Sequence, residues 1–301
     1  MRTVMLFVVS IAMIGCTSPK ERSKDATMTS SQWRPLFNGK DLSGWETWLG
    51  RPHMSVTGVD LAKDEKGQYV GVVGLNNDPK RVYSVVEVDG APAIRISGEI
   101  FGALTTTEEF KNYRLKFEFK WGDEKFEPRT KAMRDSGILY HCVGPHGGSG
   151  GGSRAWMQSH ECQIQEKDTG DYWSVADAIA DIEAEPITID GKHKTVVYKP
   201  GAEQWTIPNT EKLTQKRAIK SLDNEKPSGE WNTVEIICVG GTARHIINGK
   251  ENMVITNSRR KVDGQEVPLT KGKLQLQSEG AEVFYRNVMV RPELSPQKKH
   301  R

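Results

Sequence analysis

Apolar and polar residues alternate with a period of two along most of the chain. The clearest case begins at Tyr113 and ends at Trp121, where Leu115, Phe117 and Phe119 stand at every second position. Successive side chains of a strand point to opposite faces of a sheet, so this alternation predicts a strand with one face in the core. The pattern therefore indicates β-structure and not an amphipathic helix.

Further segments with the same alternation are separated by Gly, Asn, Asp and Pro, the residues that favour turns. A helical period is confined to one short candidate helix at 175–185, and the polar segment 200–227 predicts a surface lid or insertion. Many short strands with few helices predict an all-β protein, either a sandwich or a jelly roll. The additional predicted strands are 137–143, 161–166, 231–239, 242–247, 252–256, 273–277 and 282–290.

The N-terminus has the pattern of a lipoprotein signal peptide. Arg2 precedes a short apolar run, and Gly15 stands directly before Cys16. The run is too short to cross a bilayer, which is typical of a cleaved signal. We therefore expect a lipid on Cys16 that anchors the protein in the envelope of a Gram-negative bacterium. Thr17, and not Asp, follows the cysteine, which resembles the enterobacterial sorting signal for the outer membrane. Either the periplasmic or the outer surface of that membrane fits the sequence.

The 301 residues divide into four predicted segments. The signal peptide covers 1–16, and a flexible tether rich in Ser, Thr, Lys and Glu covers 17–30. No linker or internal repeat divides 31–292, so we expect a single β-sandwich domain there. A polar, basic tail follows at 293–301.

Composition and spacing argue against several classes of function. The net charge is only +3 and the basic residues are scattered, so no nucleic-acid partner is expected. The Gly- and Ser-rich segment 144–153 lacks the Gly-Lys-Ser/Thr ending of a phosphate loop, so no nucleotide cofactor is expected. Cys142, Cys162 and Cys238 have no zinc-binding spacing and are odd in number, and we expect buried free thiols.

Seven short motifs stand in a fixed order along the predicted domain. They are 36–45 (LFNGKDLSGW), 135–141 (DSGILYH), 161–165 (ECQIQ), 229–232 (GEWN), 245–249 (HIING), 276–279 (LQSE) and 284–288 (FYRNV). Together they resemble the bacterial 3-keto-disaccharide hydrolase domain family over nearly the whole predicted domain. Asp135 and His141 stand where that family usually has Asn and Arg, and Glu279 where it often has His.

The resemblance implies a concanavalin A-like jelly-roll β-sandwich with a sugar site on its concave sheet. It also implies a carbohydrate substrate whose glucosyl ring carries a ketone at C3, made by a separate sugar oxidoreductase that would be a functional neighbour. The ketone acidifies the proton on C2, so a base can remove it and the C1 substituent can leave. Addition of water to the enone would complete the cleavage of a 3-keto-glycoside.

Strand parity predicts a polar face without help from the resemblance. In 161–165 and again in 273–279 the apolar residues occupy even positions, so the polar residues at odd positions share one face. Asp135 has the same parity as His141. Amides and carboxylates can bind sugar hydroxyls, while Trp and Tyr stack on the ring. The residues expected to bind substrate are Asp135, Gln163, Gln165, Tyr172, Trp173, Gln277, Glu279 and Arg286.

Two residues are expected to carry the chemistry. His141 is the first candidate for the base or for a metal ligand, because imidazole titrates near neutral pH. Glu161 is the next candidate for either role. Arg286 or a divalent metal ion could hold the negative charge of the enolate.

Two other functions also fit the sequence. The spacing of Glu161, Gln163 and Glu166 resembles the Glu-x-Asp-x-x-Glu motif of laminarinase-like glycoside hydrolases, but Gln replaces the central Asp. Retaining hydrolysis needs two carboxyl groups on one face, and Glu166 reaches the face of Glu161 only if the strand is bulged. A non-catalytic carbohydrate-binding protein is the other alternative, since fold alone does not establish a reaction.

Overall fold

The computed structural model describes residues 32–149 and 153–294, and within them the regular structure is built from strands, without an α-helix. The strands are β1 (Arg34–Pro35), β2 (Trp45–Leu49), β3 (Gly74–Leu75), β4 (Tyr83–Val88), β5 (Ala91–Ile96), β6 (Gly102–Thr106), β7 (Tyr113–Lys125), β8 (Asp135–Val143), β9 (Gln158–Gln165), β10 (Tyr172–Val175), β11 (Ile179–Ile189), β12 (His193–Tyr198), β13 (Gln204–Ile207), β14 (Arg217–Ile219), β15 (Asn232–Val239), β16 (Thr242–Ile247), β17 (Lys250–Val262), β18 (Gln265–Pro268), β19 (Lys273–Ser278) and β20 (Ala281–Pro292). Cys16, the tether and residues 295–301 lie outside the described residues, so lipidation stays a prediction.

The strands form two facing sheets. The back sheet has the order β4-β5-β20-β7-β15-β16-β17, with β1 beside the last part of β20. The front sheet has the order β3-β2-β6-β19-β8-β9-β10-β14-β12-β11. All of these pairs are antiparallel except β12 with β14. Pairing of β11 with β17 joins the two sheets along one edge.

The core between the sheets follows the predicted alternation. Leu115, Phe117 and Phe119 of β7 are fully buried, and Cys162 and Ile164 of β9 meet them from the front sheet. Burial of apolar surface between two sheets is the main stabilising contribution in such a sandwich. The concanavalin A-like jelly-roll β-sandwich is therefore confirmed. The expectation of free buried thiols at the three cysteines of the domain is confirmed as well.

Two local predictions are wrong. The candidate helix at 175–185 is a turn followed by β11, which pairs with β12, β13 and β17. A short apolar segment is compatible with either state, and here the neighbouring strands supply partners for its backbone. The predicted lid at 200–227 contains β14, which lies between β10 and β12 in the front sheet, and β13, which pairs with β11. Within the described residues, no helix has the length and apolar character needed to cross a membrane.

Candidate active site

One cavity of about 390 Å³ opens on the outer face of the front sheet. Polar residues of β8, β9 and β19 form one side of it, and residues of β10 and two loops form the other. This mixture of charged groups, amides and indole rings is typical of a site for a polar ligand. The lining residues are Arg129, Asp135, Ser149, Trp156, Glu161, Gln163, Gln165, Trp173, Ser174, Val175, Ala176, Lys216, Gln277 and Glu279.

Strand register brings the predicted polar residues together. Asp135 lies opposite Gln165 in the antiparallel pair of β8 and β9, and Trp173 of β10 lies opposite Glu161. No bulge interrupts the pairing of β9 with β10, so the odd-numbered side chains of β9 stay on the cavity side. Asp135, Glu161, Gln163, Gln165, Gln277 and Glu279 line the cavity, as the parity argument predicts, and Trp173, expected as a stacking residue, lines it as well.

Gly137 forms the floor beneath two of these side chains. The carboxyl oxygen Oε1 of Glu161 and the amide oxygen Oε1 of Gln277 lie directly over its α-carbon. A Cβ added at this position would come closer than 3.0 Å to Glu161 and to 2.8 Å from Gln277 Oε1. Only glycine leaves room here for the two side chains to cross the strand.

Arg129 is the basic group that meets the carboxylates of the cavity. It forms ion pairs with Asp135 and with Glu279, the latter at 3.5 Å. Gln163 Nε2 donates to Asp135 Oδ1 at 3.0 Å. Gln165 accepts from Arg129 Nη2 at 2.9 Å when its amide is oriented so that its nitrogen donates to Asp168. Charge-assisted hydrogen bonds of this kind hold side chains in a fixed position.

The carboxyl groups of the cavity have raised pKa values. Burial raises the pKa of Glu161 well above its usual range, and the charge of Asp135 adds to the effect. The pKa of Asp135 is also well above its usual range because of burial and of Glu279, with Arg129 opposing the shift. Burial raises the pKa of Glu279 to about 8, although Arg129 lowers it. A buried carboxyl group with a raised pKa keeps its proton to higher pH and is a stronger base once ionised, and both properties are used in acid–base catalysis.

Several buried polar atoms of the cavity have no hydrogen-bond partner within the described residues. They are Oε1 of Gln163, Oε1 of Gln277, Nε1 of Trp173 and Nε of Arg129. Buried polar groups in native proteins are nearly always paired, and an unpaired set around one cavity indicates that a ligand or water completes it. These two acceptors and two donors match the hydroxyl groups of a sugar.

His141 lies away from the cavity, and the expected common face with Asp135 is wrong. The pairing of β8 with β9 is interrupted between Tyr140 and Val143, and His141 has a positive φ of 54°. This bulge turns the ring into the core, where it packs edge-on against Tyr113 and Tyr140. Burial lowers the pKa of His141 to about 4, so the ring is neutral near pH 7.

Tyr172 and Arg286 also lie away from the cavity. Tyr172 is fully buried in the core and its hydroxyl group is 2.9 Å from Nδ1 of His160. Arg286 belongs to the back sheet, where its guanidinium group packs 3.8 Å from the ring centre of Trp231 and donates to Glu118 at 2.7 Å. The front sheet therefore lies between Arg286 and any substrate in the cavity.

The residues of the cavity do not assemble a site for the expected metal ion. The two predicted ligands, His141 and Glu161, lie on opposite sides of the front sheet. Within 32–149 and 153–294, no group of three His, Cys, Asp or Glu side chains is arranged to hold a metal. No step of the reaction below is therefore assigned to a metal.

The second carboxyl group of the laminarinase-like alternative is held elsewhere. Glu166 forms an ion pair with Arg134 at 2.7 Å and accepts a hydrogen bond from the backbone of the same residue at 2.9 Å. It does not line the cavity that contains Glu161. The pairing of two carboxylates on one face, which retaining hydrolysis needs, is absent for these two residues.

Comparison with known proteins places the chain in a family. The model of the 3-keto-alpha-glucoside-1,2-lyase-like domain, also called the 3-keto-disaccharide hydrolase domain, matches residues 32–291. The chain belongs to this family. The family name describes enzymes that act on carbohydrates, and the polar cavity of this 3-keto-disaccharide hydrolase domain agrees with such an activity. A comparison with curated proteins gave no match.

Several solved structures are similar to this family member in fold. A candidate glycosyl hydrolase from Parabacteroides distasonis has 19% identity and a TM-score of 0.46, with 87% of this chain and 94% of that chain covered. A β-glucanase from Bacillus licheniformis has 10% identity and a TM-score of 0.40, covering 88% and 99%. A carbohydrate-binding module from Bacillus subtilis has 7% identity and a TM-score of 0.37, covering 69% and 91%. These values leave the chemistry to be argued from the residues of the site.

Sequence patterns missed part of the cavity of this 3-keto-disaccharide hydrolase domain. Arg129 lies in the segment between β7 and β8, where no alternation of apolar and polar residues predicts the side on which its side chain lies. Trp156 follows the Gly-rich segment, and Val175 stands at the start of the candidate helix. Only a Trp beside a loop and a lone Arg after a proline were visible in the sequence, and neither signal is specific.

Proposed function

We propose that this protein cleaves 3-keto-glycosides by removal of the C2 proton and elimination of the C1 substituent. The observation that carries the proposal is the pair of buried carboxyl groups with raised pKa values, Glu161 and Glu279, in one cavity with Arg129. Elimination needs a base near C2, an acid for the leaving oxygen and a positive group for the developing enolate. These three residues can supply the three functions.

Glu161 is the proposed base. Its carboxylate takes the proton from C2, and the electron pair of that C–H bond forms the enolate that the C3 ketone stabilises. The enolate then re-forms the ketone and a C1–C2 double bond while the C1–O bond breaks. Glu279 gives its proton to the leaving oxygen, so the products are an enone and a free alcohol.

The same carboxyl groups are then in the states needed for hydration. Glu279 is ionised and can take a proton from water while the water oxygen adds to C1 of the enone. Glu161 is protonated and can return its proton to C2. The sum of elimination and hydration is hydrolysis of the glycosidic bond, with both residues restored to their starting states.

Arg129 is proposed to balance the charge that develops on the C3 oxygen. It is already held by Asp135 and Glu279, and the proton that Glu279 carries at neutral pH leaves the guanidinium with less negative charge around it. The unpaired amide oxygens of Gln163 and Gln277 are suited to bind ring hydroxyls. The proposed substrate requires a separate sugar oxidoreductase that makes the C3 ketone.

The test is a mixture of the protein with a 3-keto-glucoside or with its unoxidised parent. Enone absorbance in the ultraviolet and release of the alcohol are the measurements. Wild type should cleave only the keto sugar, and Glu161→Gln should lose at least about a hundredfold in kcat, the contribution of a positioned base. Glu166→Gln is the matched control, because it makes the same chemical change outside the cavity.

Each other outcome has a definite meaning. Cleavage of the parent sugar, with loss in both Glu161→Gln and Glu166→Gln, would support the two-carboxylate hydrolase instead. Binding of sugar without cleavage, unchanged in Glu161→Gln, would leave a carbohydrate-binding protein. In either case the elimination mechanism would be wrong.

A membrane location is part of the proposal. The signal sequence that ends at Cys16 supports a lipid-anchored protein of the bacterial envelope, with the domain held by the tether at 17–30. A domain in that compartment could act on glycosides before or during their uptake.

A further inference from the structure

Arg217 of β14 lies behind the wall of the candidate active site. In the front sheet, Trp173 of β10 has Glu161 of β9 directly opposite on one side and Arg217 directly opposite on the other. Residues directly opposite each other in antiparallel strands have their side chains on the same face of the sheet. Glu161 and Trp173 line the cavity, whereas Arg217 is not among the described residues that line it. The elimination proposed above gives Arg217 no role.

The guanidinium group of Arg217 packs over the indole ring of Trp173. Its central carbon is 5.6 Å from the ring centre, which is within the range of a cation–π contact. Because Arg217 lies outside the cavity, this contact supports the indole from behind and leaves the cavity side to a ligand. Arg217 can therefore fix the direction in which Trp173 presents its ring to the cavity.

Two carboxylates hold the guanidinium group in place. Arg217 Nη1 donates to Asp168 Oδ2 at 3.2 Å, and Nη2 lies 3.6 Å from Asp171 Oδ2. Asp171 is fully buried, and burial raises its pKa to about 7, although the charge of Arg217 opposes the shift. A guanidinium group that two carboxylates hold has lost most of its freedom before a ligand binds, so it can support a neighbouring ring at little further cost.

Asp168 connects Arg217 to a second residue of the cavity. In the orientation that satisfies both ends of its amide, Gln165 donates to the same oxygen, Asp168 Oδ2, at 3.2 Å and accepts from Arg129 Nη2 at 2.9 Å. An ionised carboxylate only accepts hydrogen bonds, so Asp168 selects the nitrogen end of the amide and turns the oxygen end towards Arg129. A chain of hydrogen bonds therefore runs from Arg217 through Asp168 and Gln165 to Arg129.

We propose that Arg217 is a positioning residue, which holds Trp173 and Gln165 in the orientations in which they bind the substrate. The inference rests on the proposed function, because that function places a sugar in this cavity. Trp173 and Gln165 take no part in the proton transfers proposed above. Loss of their orientation should therefore weaken the binding of the substrate and of the transition state alike, which raises KM and leaves kcat unchanged.

The experiment compares Arg217→Met with Arg291→Met in the full-length chain. Arg291 is a matched control on the back sheet, because its guanidinium group packs 5.1 Å from the ring centre of Trp33 and lies 3.5 Å from the carboxylate of Glu293. With a 3-keto-glucoside, Arg217→Met should raise KM by about tenfold and keep kcat within a factor of about two, since a cation–π contact and the link to Gln165 are both lost. Arg291→Met should change neither constant.

Arg217→Lys separates a positioning role from a purely structural one. Lysine keeps a positive charge beside Asp168 and Asp171 but has no planar group to stack on Trp173. The unfolding temperature of Arg217→Lys should therefore lie near that of wild type, while its KM stays well above the wild-type value. The proposal fails if Arg217→Lys has the KM of wild type, or if Arg217→Met lowers kcat and leaves KM unchanged.

Asp168→Ala keeps the test valid if Arg217→Met does not fold, because Asp168 is half-buried and its loss leaves Arg217 beside Asp171. This variant should also raise KM. Adding Gln165→Ala to it should raise KM no further, since the amide of Gln165 has already lost the group that orients it. Additive effects of the two substitutions would show that Asp168 does not act through Gln165, and the proposal would be wrong.

A measurement without turnover separates this proposal from the function on which it rests. In protein labelled with fluorotryptophan, the fluorine resonance of Trp173 is assigned by its absence in Trp173→Phe. This resonance should shift or broaden in Arg217→Met and stay unchanged in Arg291→Met, because only the first change removes the group that holds the ring. That result supports the positioning role even if wild type cleaves no keto sugar, and the proposed function alone would then fail. An unchanged resonance in Arg217→Met overturns the inference, whether or not wild type is an eliminase.

Discussion

Gly137 gives the sharpest test of the position assigned to Glu161. Alanine at this position adds one methyl group, which would come closer than 3.0 Å to Oε1 of Glu161 and to 2.8 Å from Oε1 of Gln277. The backbone of Gly137 does not have a positive φ, so alanine fits the strand without strain. The clash falls on the ends of two flexible side chains, which must move by about 1 Å.

The expected effect falls on activity and not on folding. A displacement of about 1 Å in a catalytic group can cost on the order of a hundredfold in rate, which is about 2.7 kcal/mol of transition-state stabilisation. Replacing glycine by alanine within a strand should at the same time stabilise the fold by about 0.5–1 kcal/mol, because the unfolded chain loses freedom. Gly137→Ala should therefore unfold at the same or a higher temperature while kcat falls by about a hundredfold.

The assay is enone formation from a 3-keto-glucoside, measured together with thermal unfolding. Gly241→Ala is the control, because its added methyl group would meet nothing closer than 3.4 Å. If Gly137→Ala keeps kcat within a factor of about two while its Glu161 is displaced in a crystal structure, then the carboxylate position is irrelevant and Glu161 is not the base. A large loss of unfolding temperature would instead refute the claim that the clash is confined to side chains.

Three further predictions concern other parts of the protein. Because the pKa of Glu279 is raised from 4.5 to about 8, its contribution to the free energy of unfolding should decrease as the pH rises through that window, and kcat should fall above about pH 8. Urea unfolding and pH–rate profiles of wild type and Glu279→Gln check both effects. A pH–rate profile that is unchanged in the variant would contradict the role of Glu279 as the acid. Prolonged treatment with a chelator should leave the rate unchanged, since the described residues assemble no metal site; loss of activity that added Mn²⁺ or Ca²⁺ restores would show that a metal is needed. Cys16→Ser should move the protein from the membrane fraction to the soluble fraction, and retention of the variant in membranes would argue against the lipid anchor.

The sequence determined the strands and the polar face of the central ones. Alternation is a local property, because each residue of a regular strand points opposite to its neighbour. Glu161, Gln163 and Gln165 of β9, together with Gln277 and Glu279, could therefore be assigned to one face, and the structure places them around one cavity. The all-β class and the buried thiols follow from equally local signals.

Tertiary structure decided which of the remaining residues reach the cavity. The bulge in β8 turns His141 into the core, and a bulge depends on the pairing of two strands and not on the sequence of one. Pairing with β9 sets Trp173 opposite Glu161 and sends Tyr172 to the other face. Arg286 belongs to the other sheet, whereas Arg129 enters the cavity from a loop. The reason is that alternation fixes faces along one strand, while the sheet, the register and the loops depend on contacts between distant parts of the chain.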